Sequence, residues 1–247
     1  MGERLAEGLA QGLAQGLAED KLRECEGLMF SNRRDAAKQL ADRLAGRALV
    51  NPVVLGVPRG GVVLAAVIAE RLQADLDVLL SRKLRAPGHS EYAIGAVGED
   101  DELYLTDTLG VSPQCLEQER EHQLAEIKRR RQLIDQVAPR VPLGDRSVIV
   151  TDDGIATGAT IIAGLHMVKR HDPAEVIVAV PVAPPATLGQ IRKICDQVIC
   201  LCAPDLFYAV GQFYEDFRQV TDAEVIQLMQ AHCSHGANAL RSLVSPQ

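Results

Sequence analysis

The sequence predicts an α/β fold: a mostly parallel central sheet with helices on both faces and a small C-terminal hood segment. Short β-branched runs alternate with helix-period apolar patterns along most of the chain, as parallel strands joined by right-handed crossovers require. Two of the strand-to-helix junctions, at 58–61 and 154–160, are Gly-rich turns at the carboxyl ends of strands, where open α/β sheets hold their ligands. Hydrophobic residues make up 47% of the 247, enough to fill such a core.

Residues 1–28 read as a low-complexity extension. Leu5, Leu9, Leu13 and Leu17 align along a helix, but Gly8, Gly12 and Gly16 each cost about 1 kcal/mol of helix propensity, so a marginal helix or disorder is expected. The folded domain is expected over 29–232 and a frayed tail over 233–247. Ser31 or Asn32 caps a helix carrying Ala36, Ala37, Leu40 and Leu44. Val53 to Val57 is a buried strand, followed by Pro58-Arg59-Gly60-Gly61 and a helix from Val62 to Leu72. Leu76 to Ser81 reads as the second core strand, running through Arg82-Lys83 into a charged stretch of loop composition, 84–92.

Ile94 to Val97 and Leu103 to Leu105 flank the acidic turn 98–101 as short strands. Ser112-Pro113 opens a helix to about Val137, and its basic run 128–131 reads as a solvated face paired with upstream glutamates. Val148 to Val150 is a strand leading through 152–160 into the apolar helix of Ile161, Ile162 and Leu165. Strands follow at 176–180 and 198–202, separated by a helix through Ile194. Phe207, Tyr208, Phe213, Tyr214 and Phe217 cluster in a chain with 3% aromatics, to grip a flat ring or to pack the segment onto the sheet. Thr221-Asp222-Ala223-Glu224 is a capping box opening a helix to about Met229.

Composition excludes several functions. No apolar run of about 18 residues exists to span a membrane, and the charged, Gly-rich start carries no signal-peptide core, so a cytoplasmic protein is expected. Net charge of −7 without a basic, aromatic-studded stripe argues against nucleic acid. The six cysteines lack zinc spacing and are expected reduced.

Chemistry concentrates in Ser147 to Thr160, SVIVTDDGIATGAT. The first amides of a helix have no internal partner and its dipole favours negative charge, so this strand-turn-helix is an anion seat. Gly158 permits close approach, and Thr157 and Thr160 add hydroxyls. Asp152 and Asp153 would repel a phosphate and suit instead the hydroxyls of the same ligand, or a divalent cation. Arg59 with the amides of Gly60 and Gly61 suits a second anion. Neither GxxxxGK[ST] nor GxGxxG is present.

An apolar strand, two acids and a turn ending Thr-Gly-x-Thr resemble the signature of the type I phosphoribosyltransferases, over roughly Phe30 to Met229. The resemblance implies phosphoribosyl pyrophosphate (PRPP) as donor, with its 5-phosphate on Ala156, Thr157, Gly158, Ala159 and Thr160 and its ribose diol on Asp152 and Asp153. It also implies pyrophosphate on Arg59, Gly60 and Gly61, a closing loop in which Lys83 and Arg85 neutralise the leaving group, and Mg2+ reached by the two acids through the ribose hydroxyls. A small-molecule acceptor, a role in nucleotide metabolism and room for a homodimer follow from the same likeness. Members that use 6-oxopurines carry a third acid immediately before the Thr-Gly of the turn; here Ala156 stands there, which disfavours hypoxanthine and guanine. A PRPP-binding regulator without catalysis and a hydrolytic member are the alternatives.

Overall fold

The computed structural model describes residues 29–86, 89–105 and 110–244, with side chains for 29–86, 94–105 and 110–234. The expected extension over 1–28 lies outside the described residues. In chain order the elements are α1 (Arg33–Leu44), β1 (Val53–Gly56), α2 (Gly60–Leu72), β2 (Asp75–Val78), β3 (Ser81–Ala86), β4 (His89–Gly98), β5 (Leu103–Leu105) and α3 (Pro113–Asp135). There follow β6 (Ser147–Thr151), α4 (Ala159–Lys169), β7 (Glu175–Val182), α5 (Pro185–Ile191), β8 (Gln197–Cys202), a 3-10 turn (Val210–Phe213) and α6 (Asp222–Val244).

Five strands form the central sheet in the order β2-β1-β6-β7-β8, every pairing parallel. Their side chains alternate between two cores, as period-two strands must. Val54, Ile149 and Ile177 point to the face covered by α1, α2, α3 and α6, while Val53, Leu55, Val148, Val150 and Val178 point to the face covered by α4 and α5. Helices on both faces are thus required to bury both sets. Asn32 caps α1 by accepting the amides of Arg34 and Asp35 at 2.9 and 3.1 Å, and Ser112 caps α3 by accepting that of Cys115. Thr221 and Glu224 close the expected capping box, but α6 runs on to Val244, well past Met229.

Three readings are corrected. The strand expected over Leu76 to Ser81 ends at Val78, and the stretch read as a loop is half of an antiparallel sheet, order β3-β4-β5. Lys83 and Arg85 therefore sit on a strand. The charges that give this segment its loop composition belong to a ribbon with one buried residue, Leu84, in β3, and with register shifts on both sides of Arg85. The basic run of α3 is not uniformly solvated, because Arg131 is buried and donates to Asp77 at 2.9 Å, to both oxygens of Glu99 at 2.8 Å and to the Val78 carbonyl. It ties α3 to β2 and to the turn after β4. Among the cysteines, Cys115, Cys195, Cys200 and Cys233 are free thiols, whereas Cys202 is disulfide-bonded rather than reduced.

Candidate functional site

The two Gly-rich turns meet because β1 and β6 are neighbours in parallel register, Gly56 opposite Thr151. Past the strand ends the Val57 amide still donates to the Thr151 carbonyl at 3.0 Å. The chains then run so close that a Cβ on Gly60 would lie 1.9 Å from Asp153 Oδ2, and one on Gly61 would lie 2.8 Å from the Thr151 carbonyl oxygen. Only glycine fits at 60 and 61. The Pro58–Arg59 peptide between strand and helix is cis.

On the other side, the loop 152–158 delivers the chain to α4 through Gly158, whose φ of +78° is left-handed and strains any side chain. Among the described residues no acceptor takes the amides of Ala156, Thr157, Gly158, Ala159 or Thr160. Five donors are therefore left open at the start of an eleven-residue helix, an arrangement chemically suited to an anion. Thr187 fixes its rim by donating to the Ala156 carbonyl at 2.7 Å, and the Ile155 amide donates to the Val182 carbonyl at the end of β7.

Between the two seats stand the acids. Asp152 Oδ1 accepts the Asp153 amide at 2.8 Å. Burial, then the neighbouring Asp153 charge, pushes the Asp152 carboxyl well above the usual carboxylate range. Asp153 is raised too, by burial, although Arg33 beside it opposes the shift. Arg33 Nε donates to Asp153 Oδ2 at 2.7 Å, with the two side chains 10% and 15% exposed. The same guanidinium donates to the Arg218 carbonyl at 2.8 Å and lies 3.9 Å over the Phe217 ring. Tyr214 donates its hydroxyl to the Asp153 carbonyl at 2.6 Å, and burial together with Asp153 raises its phenol so that it keeps the proton.

Sequence reasoning missed Arg33 and Tyr214. Arg33 lies 120 residues from its partner, and Tyr214 stands in sequence among five aromatics that could pack or grip a ring. The structure gives most of that cluster to packing: Phe213 and Tyr214 are buried with Phe30, whereas Tyr208 stands 84% exposed.

The remaining site residues are distributed unevenly. Ser81 donates to the Thr160 carbonyl at 2.8 Å, joining β3 to the start of α4, and strand alternation puts the exposed Lys83 on the same side of β3 as Ser81. Arg85 is exposed; its amide donates to Glu119 of α3, and among the described residues neither its side chain nor that of Lys83 is ion-paired. Arg59 is ion-paired not with the two acids but with Asp222 at the start of α6, 3.9 Å away.

No group of three or more His, Cys, Asp or Glu side chains forms a metal cluster among the described residues. The donor set at the acids, two carboxylates whose ligand-facing partners would be oxygens, suits Mg2+, which keeps waters and substrate phosphates rather than an all-protein cage. Among the described residues no helix is long and apolar enough to cross a membrane.

The chain matches the model of the phosphoribosyl transferase domain over residues 29–218. It is 41% identical over 209 residues to a Mycobacterium tuberculosis protein, found in strains CDC 1551 / Oshkosh and H37Rv, whose name marks a provisional phosphoribosyl transferase assignment. That match covers 83% of this chain and 47% of the relative, so the chain spans about half the length of the curated relatives it matches. The crystal structure of TT1426 from Thermus thermophilus is 42% identical, with a TM-score of 0.72 over 82% of this chain and 98% of that one.

Proposed function

The chain belongs to the phosphoribosyl transferase family, and on that premise we propose that it transfers the phosphoribosyl group of PRPP to a nitrogenous acceptor with release of pyrophosphate. The observation that carries this is the pair of turns with open backbone amides flanking two half-buried acids at adjacent strand ends. The arrangement suits one ligand with a phosphate at one end, a diol in the middle and a second phosphate group beyond.

The free amides of residues 156–160, with the hydroxyls of Thr157 and Thr160, take the 5-phosphate. Asp152 and Asp153 accept from the ribose hydroxyls. Arg33 keeps Asp153 oriented, and Tyr214 holds its backbone. The amides of Gly60 and Gly61 with Arg59 receive the pyrophosphate, and Lys83, reaching from β3, is the catalytic cation that offsets charge on the leaving group, with Arg85 beyond it. Asp152 and Asp153 would hold Mg2+ by way of the ribose hydroxyls, and the cation would supply charge neutralisation for the leaving pyrophosphate. The protein's share is positioning and electrostatics, which stabilise an oxocarbenium-like anomeric carbon as the bond to pyrophosphate lengthens. Ala156 leaves the turn without an acid that would serve a 6-oxopurine, so the acceptor is sought elsewhere.

Isothermal titration of the full chain with PRPP and Mg2+ tests the donor: wild type binds, and Asp152→Asn with Asp153→Asn does not. Pyrophosphate release across a panel of bases then tests catalysis. Tight PRPP binding with silence across the panel would identify a regulator instead.

A further inference from the structure

Arg59 is the only side-chain cation of the Pro58 to Gly61 turn, yet it is directed to Asp222 rather than to the acids. Asp222 is shared. Arg129 and Arg130 of α3 approach the same carboxylate at 4.0 and 3.9 Å, so three guanidinia converge on it, although Arg129 lies nearer to Glu126, at 3.3 Å. None of the three contacts reaches hydrogen-bond distance, where a fork-to-carboxylate pair would close to about 2.8 Å. Arg130 Nε, moreover, is buried with no hydrogen-bond partner among the described residues. With three guanidinia to the two carboxylates of Asp222 and Glu126, the cluster keeps excess positive charge, and its contacts to Asp222 are loose. It borders a narrow recess lined by Pro58, Leu80, Ile134, Asp222 and Val225, directly beside the turn that carries Arg59.

We propose that Asp222 is an internal counter-anion that holds Arg59 off the pyrophosphate subsite in the ligand-free protein and so sets the affinity for diphosphate-bearing ligands. The inference rests on the functional reading above. A diphosphate carries more charge than one carboxylate and offers oxygens spaced for bidentate guanidinium contact, so it wins Arg59 from a partner 3.9 Å away. Arg129 and Arg130 keep Asp222 compensated once Arg59 departs. Asp222 is free for this role because the cap of α6 is made by Thr221 and Glu224.

The test is titration of the full chain with magnesium pyrophosphate, and separately with PRPP, for wild type, Asp222→Asn, Arg59→Gln and the double variant. Asp222→Asn is expected to bind both ligands about threefold tighter at low ionic strength, the gain shrinking as salt rises. In the Arg59→Gln background the gain is expected to vanish. Unchanged or weaker binding by Asp222→Asn overturns the proposal, as does an equal gain without Arg59, which would indicate a general charge effect. Asp222→Ser, which keeps a polar helix-start side chain, supplies the same reading should Asp222→Asn melt early. If wild type binds neither ligand, the functional reading itself fails; if wild type binds and the Asp222 variants do not tighten, only this inference fails.

Discussion

Arg33, the first residue of α1, and Asp153, the second acid of the loop after β6, form a nearly buried ion pair 2.7 Å apart. The guanidinium is committed in three directions, to the carboxylate, to the Arg218 carbonyl and to the Phe217 ring. Removing one partner of a buried pair leaves the other charge uncompensated, which costs about 3–5 kcal/mol. Arg33→Ala is expected to lose about 3 kcal/mol in urea unfolding at neutral pH. Arg33→Lys should recover little of it, since an ammonium cannot serve three planar contacts at once. Equal stability of wild type and Arg33→Ala would refute this account.

The raised Asp152 carboxyl carries a pH prediction. Its folded pKa lies above the unfolded value, so unfolded chains ionise first and this residue's contribution to stability is lost as pH climbs from the ordinary carboxyl range toward the folded pKa. Asp152→Asn removes that penalty. Thermal melts should show it more stable than wild type at neutral pH, with the difference closing on acidification. Binding runs the other way, because an ionised Asp152 suits hydroxyls and Mg2+; PRPP affinity should rise with pH over the same window and fall at least tenfold in Asp152→Asn.

A single methyl group tests the contact between the turns. With a Cβ 1.9 Å from Asp153 Oδ2 and 2.9 Å from Arg33 Nε, Gly60→Ala must displace the ion pair. We expect PRPP binding to weaken by more than tenfold while far-ultraviolet dichroism stays native. Gly189→Ala, where no atom lies within 4 Å of the new methyl, should bind as wild type does.

Arg131 anchors the small sheet to the large one. Its side chain is only 7% exposed and meets Asp77 and Glu99, themselves 7% and 10% exposed. Arg131→Met should cost about 3 kcal/mol by stranding Asp77, while Glu99 keeps Arg140 at 2.6 Å, and Arg131→Met with Asp77→Asn should regain part of it. A single substitution as stable as wild type would show the cluster to be solvated instead.

The central sheet was legible because its strands are buried on both faces and read as uncharged, Val-rich apolar runs, such as Val53 to Val57 and Val176 to Val180. The turn with open amides at the start of α4 was legible for a local reason: glycine, hydroxyls and helix start fall within a few residues. β3 was not, since it has one buried residue among Arg82, Lys83 and Arg85, a pattern a solvated loop shares. Arg131 was hidden inside Lys128-Arg129-Arg130-Arg131, where helical phase alone decides which of four like charges turns inward. Arg33 was hidden by distance, since no window of sequence holds both it and Asp153.

That distance has a bearing on how the site comes into being. Asp153 is gripped from near the start of the described chain by Arg33 and from beyond the last sheet strand by Tyr214, and Arg33 is itself fastened to Arg218. During synthesis the sheet can pair as each strand emerges, but Asp153 stays without its final brace until residue 218 has left the ribosome. Nascent chains stalled before that point are expected to bind PRPP weakly even where strands have paired, so that ligand binding reports synthesis at least as far as Arg218.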